Sequence, residues 1–477
     1  MSQDTLFAHI LAEDNRPNPY PLYAIMRKTP IARQADGTYV VSSYDAIYRL
    51  LYDPRLSSED LPPPSVHWTG NPIKNLIIDP IKAQVRARHR PLIFRDPPDH
   101  DVLRRRVMHE FAPERVRAMR GTTQKIADDL IDEVSWPRQI DLVDDFSYPL
   151  PVTVICELLG VPREDEPQFH GWATQLATAL EPDQRTDEEN RKKSQTAFDE
   201  ISAYMQTLIG RKRADPQEDM LSGLATYQDP EDGRMNDYDL ISTAVLLLVA
   251  GHETTVNLIT NGMLTLLRHP SHLERLRAAP VIAPRLVEEL LRYDPPVHYR
   301  TRLALADIEI GGVRIPKDSP VVLLLASGSR DPDRFPDPDR FDPDRESNAH
   351  FGFGGSLHYC VGAPLARIEG EVALAALARR LLNPRLVESV PRYRRGASLR
   401  GPCHLPIAID VSSIETDSNR SELIDGRRPS SWILVFSVKI FVRPSQNTDL
   451  REWRSSLDQG KPIETTAELL PHLVQPS

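Results

Sequence analysis

One segment of about thirty residues, from about Asn236 to Arg268, constrains the fold more than any other part of the chain. Its residues follow helical periodicity, and at the usual helical rise the segment would span on the order of 45 Å. The middle of the segment, Thr243-Ala-Val-Leu-Leu-Leu-Val-Ala-Gly251, is apolar on every side. Because a helix that is apolar all round is buried, we predict that this one runs through the interior of a large, mainly helical domain.

Shorter segments supply the rest of the predicted fold. Helical patterns occur at about 44–53, 100–110, 114–134, 150–159, 163–180, 187–212 and 283–293, and a further helix follows Gly362. Residues 37–42 are β-like, and 308–315 predict a hairpin around two glycines. Residues 60–98 predict a long functional loop, and 331–345 a charged, proline-rich meander. We therefore predict a mainly α domain with a minor β lobe.

Charge and cysteine content exclude several classes of protein. The formal net charge of −10 argues against a nucleic-acid-binding protein, which normally presents a basic surface. The three cysteines, Cys156, Cys360 and Cys403, imply no disulfide framework and are one short of a four-cysteine iron–sulfur site. The sequence shows neither the basic and apolar regions of a signal peptide nor a membrane-spanning apolar run, which predicts a cytoplasmic protein.

Cys360 lies in the glycine-rich stretch Phe351-Gly-Phe-Gly-Gly-Ser-Leu-His-Tyr-Cys-Val-Gly362, directly before a predicted helix with Pro364 in its first turn. The glycines allow a sharp turn that brings backbone amides near the sulfur, and the positive end of the helix would stabilise a thiolate. Such a thiolate suits a single iron ion. The alternative is a buried, unreactive cysteine, and Cys360 taken alone does not decide between them.

Two helical segments carry acidic residues beside apolar faces. Glu289 and Arg292 lie three residues apart, a spacing that usually marks a solvated surface pair. The flanking Leu286, Val287, Leu290 and Leu291 place the pair next to an apolar face, which makes a buried ion pair possible. In the long apolar segment, Glu253 precedes two threonines. Burying an acid among apolar side chains is costly, which suggests that Glu253 has a partner or a function. The hydroxyl of Thr254 either takes part in a reaction at a functional site or donates a hydrogen bond to a backbone carbonyl one turn earlier.

Basic side chains form a third candidate group. His100 and Arg104 lie four residues apart and project from one side of a predicted helix. Arg302, before the β-like segment, is a candidate for the same site. Together these side chains suit an anionic group, although exposed surface residues are the common alternative.

Taken together and in this order, these segments resemble the cytochrome P450 superfamily, in its soluble bacterial form, over roughly residues 10–412. The acid–threonine helix, the Glu-x-x-Arg helix, the meander with Arg340-Phe341 and the cysteine loop all occur with the family's spacing. The resemblance implies the cytochrome P450 fold: a triangular helical domain with a minor β lobe, and a haem between the long central helix and the helix after the cysteine loop. It also implies that Glu289 and Arg292 form a structural pair joined by a meander arginine, for which Arg340 is the candidate.

The resemblance implies roles for individual residues as well. Cys360 would be the thiolate ligand of the iron of haem b (iron protoporphyrin IX), and Phe353 would pack beside the ligand loop. Glu253 and Thr254 would deliver the protons needed for O2 activation. The haem propionates would be held by four side chains, those of His100, Arg104, Arg302 and His358.

The implied function is a haem-thiolate monooxygenase that oxidises a hydrophobic small molecule with O2 and two electrons. The electrons would come from a ferredoxin and its reductase, because the chain contains no fused flavin or iron–sulfur module; Arg105 and Arg106 are candidate contacts for an acidic partner. The enzyme is expected to be a monomer. The alternatives are a haem-thiolate carrier or sensor without turnover, and a family variant that uses peroxide or rearranges its substrate. The intact Glu253–Thr254 pair favours the monooxygenase.

The implied substrate cavity involves residues 60–95 and 170–195, the helix face with Leu246, Val249 and Ala250, and the segment 297–299. Within that last segment, the polar side chains of His298 and Tyr299 either bond a substrate oxygen or face solvent. Steroids, terpenes, fatty acids, polyketides and peptides are all compatible with this lining.

Two features lie outside the family pattern. Ser356 stands four residues before the cysteine, where the family usually has glycine. If the backbone there is left-handed, serine costs roughly 1–2 kcal/mol. Residues 413–477 extend beyond the resemblance and predict a poorly ordered extension of unknown role, although the apolar run 432–442 has strand character.

Overall fold

The computed structural model describes residues 4–59, 90–133, 139–177 and 188–410. The helices in these ranges are Leu6–Ile10, Tyr20–Met26, Tyr44–Leu51, Asp99–Glu110, Pro113–Glu133, Pro149–Leu159, Glu166–Ala177, Glu188–Ala214, Met220–Thr226, Asp237–Arg268, Pro270–Ala278, Ala283–Tyr293, Leu325–Gly328 and Ala363–Arg380. They confirm the mainly α prediction. The pattern at 163–180 resolves into a 3-10 turn at Arg163–Asp165 followed by the helix that begins at Glu166.

The β lobe contains a five-stranded sheet in the order Ile31–Arg33, Tyr39–Val41, Pro320–Leu323, Arg300–Ala304 and Leu56–Ser57. Its pairings are antiparallel except for the parallel pairing of Tyr39–Val41 with Pro320–Leu323. A second sheet joins Arg385–Leu386, Pro406–Ala408 and Gln139–Asp141, and short hairpins pair Gln228–Asp229 with Gly233–Arg234 and Ile308–Ile310 with Val313–Ile315. The last of these is the predicted hairpin, and both of its turn glycines have positive φ angles.

The central helix (Asp237–Arg268) is 32 residues long and begins where the Asn236 side chain accepts a hydrogen bond from the amide of Asp239. It packs against Pro149–Leu159, Glu166–Ala177 and the helix after the cysteine loop, Ala363–Arg380. By length and hydropathy it could cross a membrane, but 78% of its most apolar window is buried inside the described fold. Its apolar surface is therefore used for packing, as predicted.

Glu289 and Arg292 form a buried ion pair, the alternative that their apolar flanking residues made possible. Neither side chain is exposed, and the Arg292 guanidinium donates to the two carboxylate oxygens at 2.7 and 2.8 Å. The prediction that Arg340 joins this pair is wrong. The Arg340 side chain is 70% exposed and lies 3.8 Å from Asp342. The backbone carbonyl of Arg340, not its side chain, contacts the pair by accepting a hydrogen bond from Arg292. The arginine side chain that lies near Glu289 is Arg345, whose Nε is 3.6 Å from Oε2.

Candidate active site

A cavity lies between the central helix and the cysteine loop. The helix lines it with residues spaced three or four positions apart, as expected for one helix face: Thr243, Leu246, Leu247, Ala250, Gly251, Thr254, Thr255 and Leu258. Val297 and the apolar side chains of Leu92 and Ile93 also line it, in agreement with the predicted lining, whereas Val249 is buried in the core. Residues 60–89 and 178–187 of the predicted lining lie outside the described residues.

Cys360 lies on the wall of this cavity. Its sulfur accepts hydrogen bonds from the amides of Gly362 and Ala363 at the start of the following helix, and its own amide donates to the carbonyl of Phe353 at 3.0 Å. Burial raises the pKa of the Cys360 thiol, while the two amides and the nearby charge of Arg104 oppose that rise. The arrangement is the one that the glycine-rich loop and helix start predict for a stabilised thiolate.

Ser356 has a φ angle of 56°, in the left-handed region that favours glycine. It opens the short 3-10 turn Ser356–His358, which carries His358 into the cavity wall. Gly354, two residues earlier, is also left-handed, with φ of 71°. The condition of the prediction about Ser356 is therefore met, and the cost of roughly 1–2 kcal/mol stays a prediction.

The four predicted propionate-binding residues, His100, Arg104, Arg302 and His358, all line the cavity. The rings of His100 and His358 lie 4.5 Å apart, and Arg104 donates to the carbonyl of Tyr359 at 2.8 Å. Burial, followed by the charges of Arg302, His100 and Arg104, lowers the pKa of His358 to about 3. The side chains are thus close enough to repel one another electrostatically.

Arg300 is a further cavity residue that the sequence reasoning missed. It lies two positions before Arg302 on the strand Arg300–Ala304, so the two side chains share one face of the sheet. Burial and the charge of Arg300 lower the pKa of Arg302 to about 10. The signal for Arg300 was available in the sequence as the spacing of two arginines by two positions, which puts both on one face if the segment is a strand.

These residues fit the haem that the resemblance implies. One end of the cavity collects cationic and imidazole side chains whose mutual repulsion an anionic group would relieve, as two carboxylates would. The buried Nε2 atom of His100 has no hydrogen-bond partner within the described part of the chain, so this cavity residue can still bond a haem carboxylate. A thiol for the metal, apolar walls for the ring and donors for the carboxylates match the parts of a haem.

The predicted acid and alcohol point in different directions. The Thr254 hydroxyl lines the cavity and donates to the carbonyl of Ala250 at 2.6 Å, which is the back-bonding alternative considered for it. Its oxygen still has lone pairs for a donor in the cavity. The Glu253 side chain is 5% exposed and pairs with Arg394, whose Nη1 lies 2.5 Å from Glu253 Oε1. Sequence reasoning missed Arg394, which carried no motif of its own.

The structure contradicts the prediction that Arg105 and Arg106 are available to bind an acidic partner, because both are already paired within the chain. Arg105 Nε lies 2.9 Å from Asp229, and its Nη2 lies 2.5 Å from Asp232. Arg106 is buried and donates to the carbonyls of Asp232 and Gly233. The turn at 229–233 therefore supplies carboxylates that neutralise Arg105 and backbone carbonyls that hold the buried Arg106.

His298 and Tyr299 are buried in the core and do not line the cavity, so neither role considered for them is correct. His298 Nδ1 lies 2.6 Å from the hydroxyl of Tyr23, and its Nε2 lies 3.9 Å from Asp294. Burial and the charge of Arg400 lower the pKa of His298 well below its usual value. Two polar residues in a predicted pocket segment thus serve packing against the N-terminal helices.

Comparison with known proteins decides the family. The family model described as Cytochrome P450 matches residues 69–279 and 282–383. The chain belongs to the cytochrome P450 family. The 6-deoxyerythronolide B hydroxylase of Saccharopolyspora erythraea is 38% identical over 400 residues, 82% of this chain and 96% of that protein. The vitamin D(3) 25-hydroxylase of Pseudonocardia autotrophica is 35% identical over 406 residues, 83% of this chain and 95% of that protein.

Solved structures of cytochromes P450 agree with this assignment. The ligand-free CYP164A2 of Mycobacterium smegmatis is 38% identical, with a TM-score of 0.75 over 86% of this chain and 100% of that one. As a cytochrome P450, this chain binds haem b and is a haem-thiolate monooxygenase that oxidises a hydrophobic small molecule with O2 and electrons from a redox partner. The similar proteins are named as hydroxylases and monooxygenases, which favours this function over the carrier, sensor and rearranging alternatives.

Proposed function

We propose that this cytochrome P450 hydroxylates a large apolar molecule in the cavity beside the central helix, with Cys360 as the thiolate ligand of the haem iron. The observation that supports the assignment is the position of Cys360 on the cavity wall, with its sulfur accepting two backbone amides. Cys156 is buried in the core, and Cys403 donates to the carbonyl of Arg392. Neither lines the cavity.

His100, Arg104, Arg302 and His358 would bind the haem carboxylates, and Phe353 would pack beside the ligand loop. The ring of Phe353 lies 4.6 Å from the Arg367 guanidinium, which fixes its position. When bound, the haem supplies the activation of O2 and the oxidation of the substrate. Thr254 would hold a proton donor at its hydroxyl oxygen, and Glu253 would take up protons from solvent and pass them towards the cavity.

The substrate is proposed to have the size and apolar character of the molecules named in the similar proteins, 6-deoxyerythronolide B and vitamin D(3). The cavity walls support this choice, because Leu246, Leu247 and Val297 present apolar surface next to the site. Binding of such a molecule would exclude water from the cavity.

The assignment is tested by the CO difference spectrum of the reduced, haem-loaded protein. Cys360→Ser should abolish the absorption of a thiolate-ligated haem, whereas Cys403→Ser, the matched control, should leave it unchanged. Conversion of vitamin D(3) or 6-deoxyerythronolide B, supported by NAD(P)H and a surrogate ferredoxin system, tests the oxygenation. A Cys360→Ser variant that keeps the thiolate spectrum would refute the ligand assignment.

Electrons are proposed to come from a ferredoxin and its reductase, docking beside the ligand loop. Leu357 and Tyr359, on either side of His358, are exposed, and Arg367 donates to the Tyr359 hydroxyl at 3.2 Å. The charge of Arg367 is balanced by Glu288, whose carboxylate accepts from its Nε at 2.6 Å, so the proposed docking surface is apolar rather than cationic. Leu357→Glu should slow reduction by ferredoxin in a salt-dependent way, and Val281→Glu, at another exposed apolar position, should not.

The remaining proposals concern the whole chain. Residues 1–412 would form the haem domain, a monomeric cytoplasmic enzyme without a membrane span, and residues 413–477 an extension that lies outside the described residues. The coverage of the similar proteins, 78–83% of this chain in the full-length comparisons, supports this division. A chain ending at Val411 should keep its haem spectrum and sediment as a monomer; loss of haem binding would contradict the division.

A further inference from the structure

The contact between Glu253 and Arg394 joins two distant parts of the chain. Glu253 lies in the middle of the central helix, and Arg394 lies on a hairpin closed by the bridge between Tyr393 and Pro402. The backbone amide of Arg394 donates to the carbonyl of Gly401 at 3.0 Å, which keeps the residue in the hairpin. Its side chain leaves the hairpin and meets the carboxylate at 2.5 Å.

The two partners differ in their access to solvent. The Glu253 side chain is 5% exposed and that of Arg394 is 23% exposed. The second carboxylate oxygen of Glu253 is buried without a hydrogen-bond partner in the described part of the chain. Arg394 therefore stands between the buried acid and the surface, and a proton from solvent reaches this acid most directly when the guanidinium moves aside.

Three structural elements bring titratable or charged groups to Glu253. His252 precedes it on the central helix, Tyr148 lies at the start of Pro149–Leu159, and Arg394 comes from the hairpin. Burial raises the pKa of Glu253, and Arg394 is the charged group that lowers it. The pKa of Tyr148 is raised by burial and responds to the charges of both Glu253 and Arg394, so the hydroxyl stands close to the pair.

The hairpin does not depend on Arg394 for its anchorage. Arg400 lies 2.5 Å from Asp294, donates to the carbonyl of Arg16 at 2.7 Å, and stacks over the ring of Tyr393 at 4.4 Å. Loss of the Arg394 side chain therefore leaves these contacts in place. The pair with Glu253 consequently has a role other than holding the hairpin to the domain.

We propose that Arg394 is a positioning residue that keeps Glu253 ionised and closed to solvent, and that opening of this pair controls when Glu253 takes up a proton. The inference rests on the proposed role of Glu253 in proton delivery. It adds a residue from the C-terminal hairpin to a relay that otherwise belongs to the central helix. No covalent bond changes: one proton moves from solvent to a carboxylate oxygen.

The protonation of Glu253 can be measured by infrared spectroscopy through the carbonyl stretch of a protonated carboxylic acid, titrated with pH. An opposite charge usually shifts a carboxyl pKa by about 1–3 units, so Arg394→Gln should raise the midpoint by that amount, a roughly 10- to 1,000-fold gain in proton affinity. The band must disappear in the Arg394→Gln/Glu253→Gln double variant. Arg394→Lys should restore the wild-type midpoint.

Arg395→Gln is the matched control, because the neighbouring Arg395 is 80% exposed and pairs with Glu13. It should leave the Glu253 midpoint unchanged. If Arg394→Gln does not fold, the wild-type protein titrated at increasing ionic strength replaces it, since salt screens a partly accessible pair and should raise the midpoint. An unchanged midpoint in Arg394→Gln, or a midpoint independent of salt, would overturn the proposal. Neither measurement requires turnover, so failure of the monooxygenase assignment would appear separately, in the product assay.

Discussion

Replacement of Ser356 by glycine should stabilise the protein, although a substitution by glycine usually destabilises the folded state. Ser356 has a φ angle of 56° and opens the turn that carries His358, two residues before Cys360. In this region the side chain of an L-residue crowds the following carbonyl oxygen, and glycine has no side chain to crowd it. The substitution therefore removes strain without removing a core contact.

The magnitude follows from two opposing terms. Relief of the left-handed conformation should gain about 1–2 kcal/mol. The greater freedom of glycine in the unfolded chain costs about 0.5–1 kcal/mol. The net gain in unfolding free energy is then between about 0 and 1.5 kcal/mol, with a central value of about 0.75 kcal/mol. If the loop relaxes when haem leaves, the central value appears in haem binding as a roughly 3- to 4-fold higher affinity.

Urea unfolding followed by circular dichroism measures the first quantity, and haem transfer to an apo-globin acceptor measures the second. Ser43→Gly is the matched control, since Ser43 precedes a helix with φ of −86° and makes no side-chain capping bond. It should destabilise the protein by about 0.5–1 kcal/mol. If Ser356→Gly destabilises as much as Ser43→Gly and binds haem no more tightly, the strain argument is refuted.

Three further outcomes are expected. Glu289→Gln should destabilise the domain by about 3–5 kcal/mol in urea unfolding, because it leaves the fully buried charge of Arg292 without its counterion. Gly401→Ala should destabilise by about 1–3 kcal/mol, because a β-carbon would overlap the buried amide of Asn257, and Asn257→Ala in the same chain should recover part of that loss. The buried His298 stays neutral in the folded protein while its unfolded form gains a proton below about pH 6.5, so stability falls as the pH drops. His298→Gln should flatten the slope of unfolding free energy between about pH 6.5 and 5 by up to about 1.4 kcal/mol per pH unit, and an unchanged slope would show that another group titrates there.

Local patterns predicted the fold well because helix periodicity and caps depend on neighbouring residues. The helix Ala283–Tyr293 begins and ends at the predicted residues, and the central helix begins one residue after the predicted start because Asn236 is its cap. Side-chain partners from distant segments were not predictable in this way. The pairing of Glu253 with Arg394 and the choice of Arg345 over Arg340 depend on how irregular segments turn, and irregular backbone has no sequence period.

Partners that are distant in the sequence also explain which predictions about basic residues succeeded and which failed. Arg105 looked available in the sequence because its neutralising acids, at 229–232, come more than a hundred residues later. His100, Arg104 and Arg302 were predicted for the cavity because the resemblance specified them, and all three line it; Arg300 was missed because the resemblance did not specify it.

Two groups of buried cations in this protein can be told apart by what surrounds them. Arg292 has its carboxylate and its carbonyl acceptors within the chain, so its charge is satisfied without a ligand. Arg302 and His358 lie on the same cavity wall, where burial and then charges of like sign lower the pKa values of both groups, and Asp96 only partly offsets the effect on Arg302. Folding gains nothing from such repulsion, whereas a bound anion would relieve it. Arg292→Lys should therefore lower the stability of apo and haem-loaded protein alike, since lysine cannot reproduce the bidentate pair. Arg302→Leu should weaken haem binding while leaving the apo protein as stable or more stable, and equal losses in both variants would contradict this distinction.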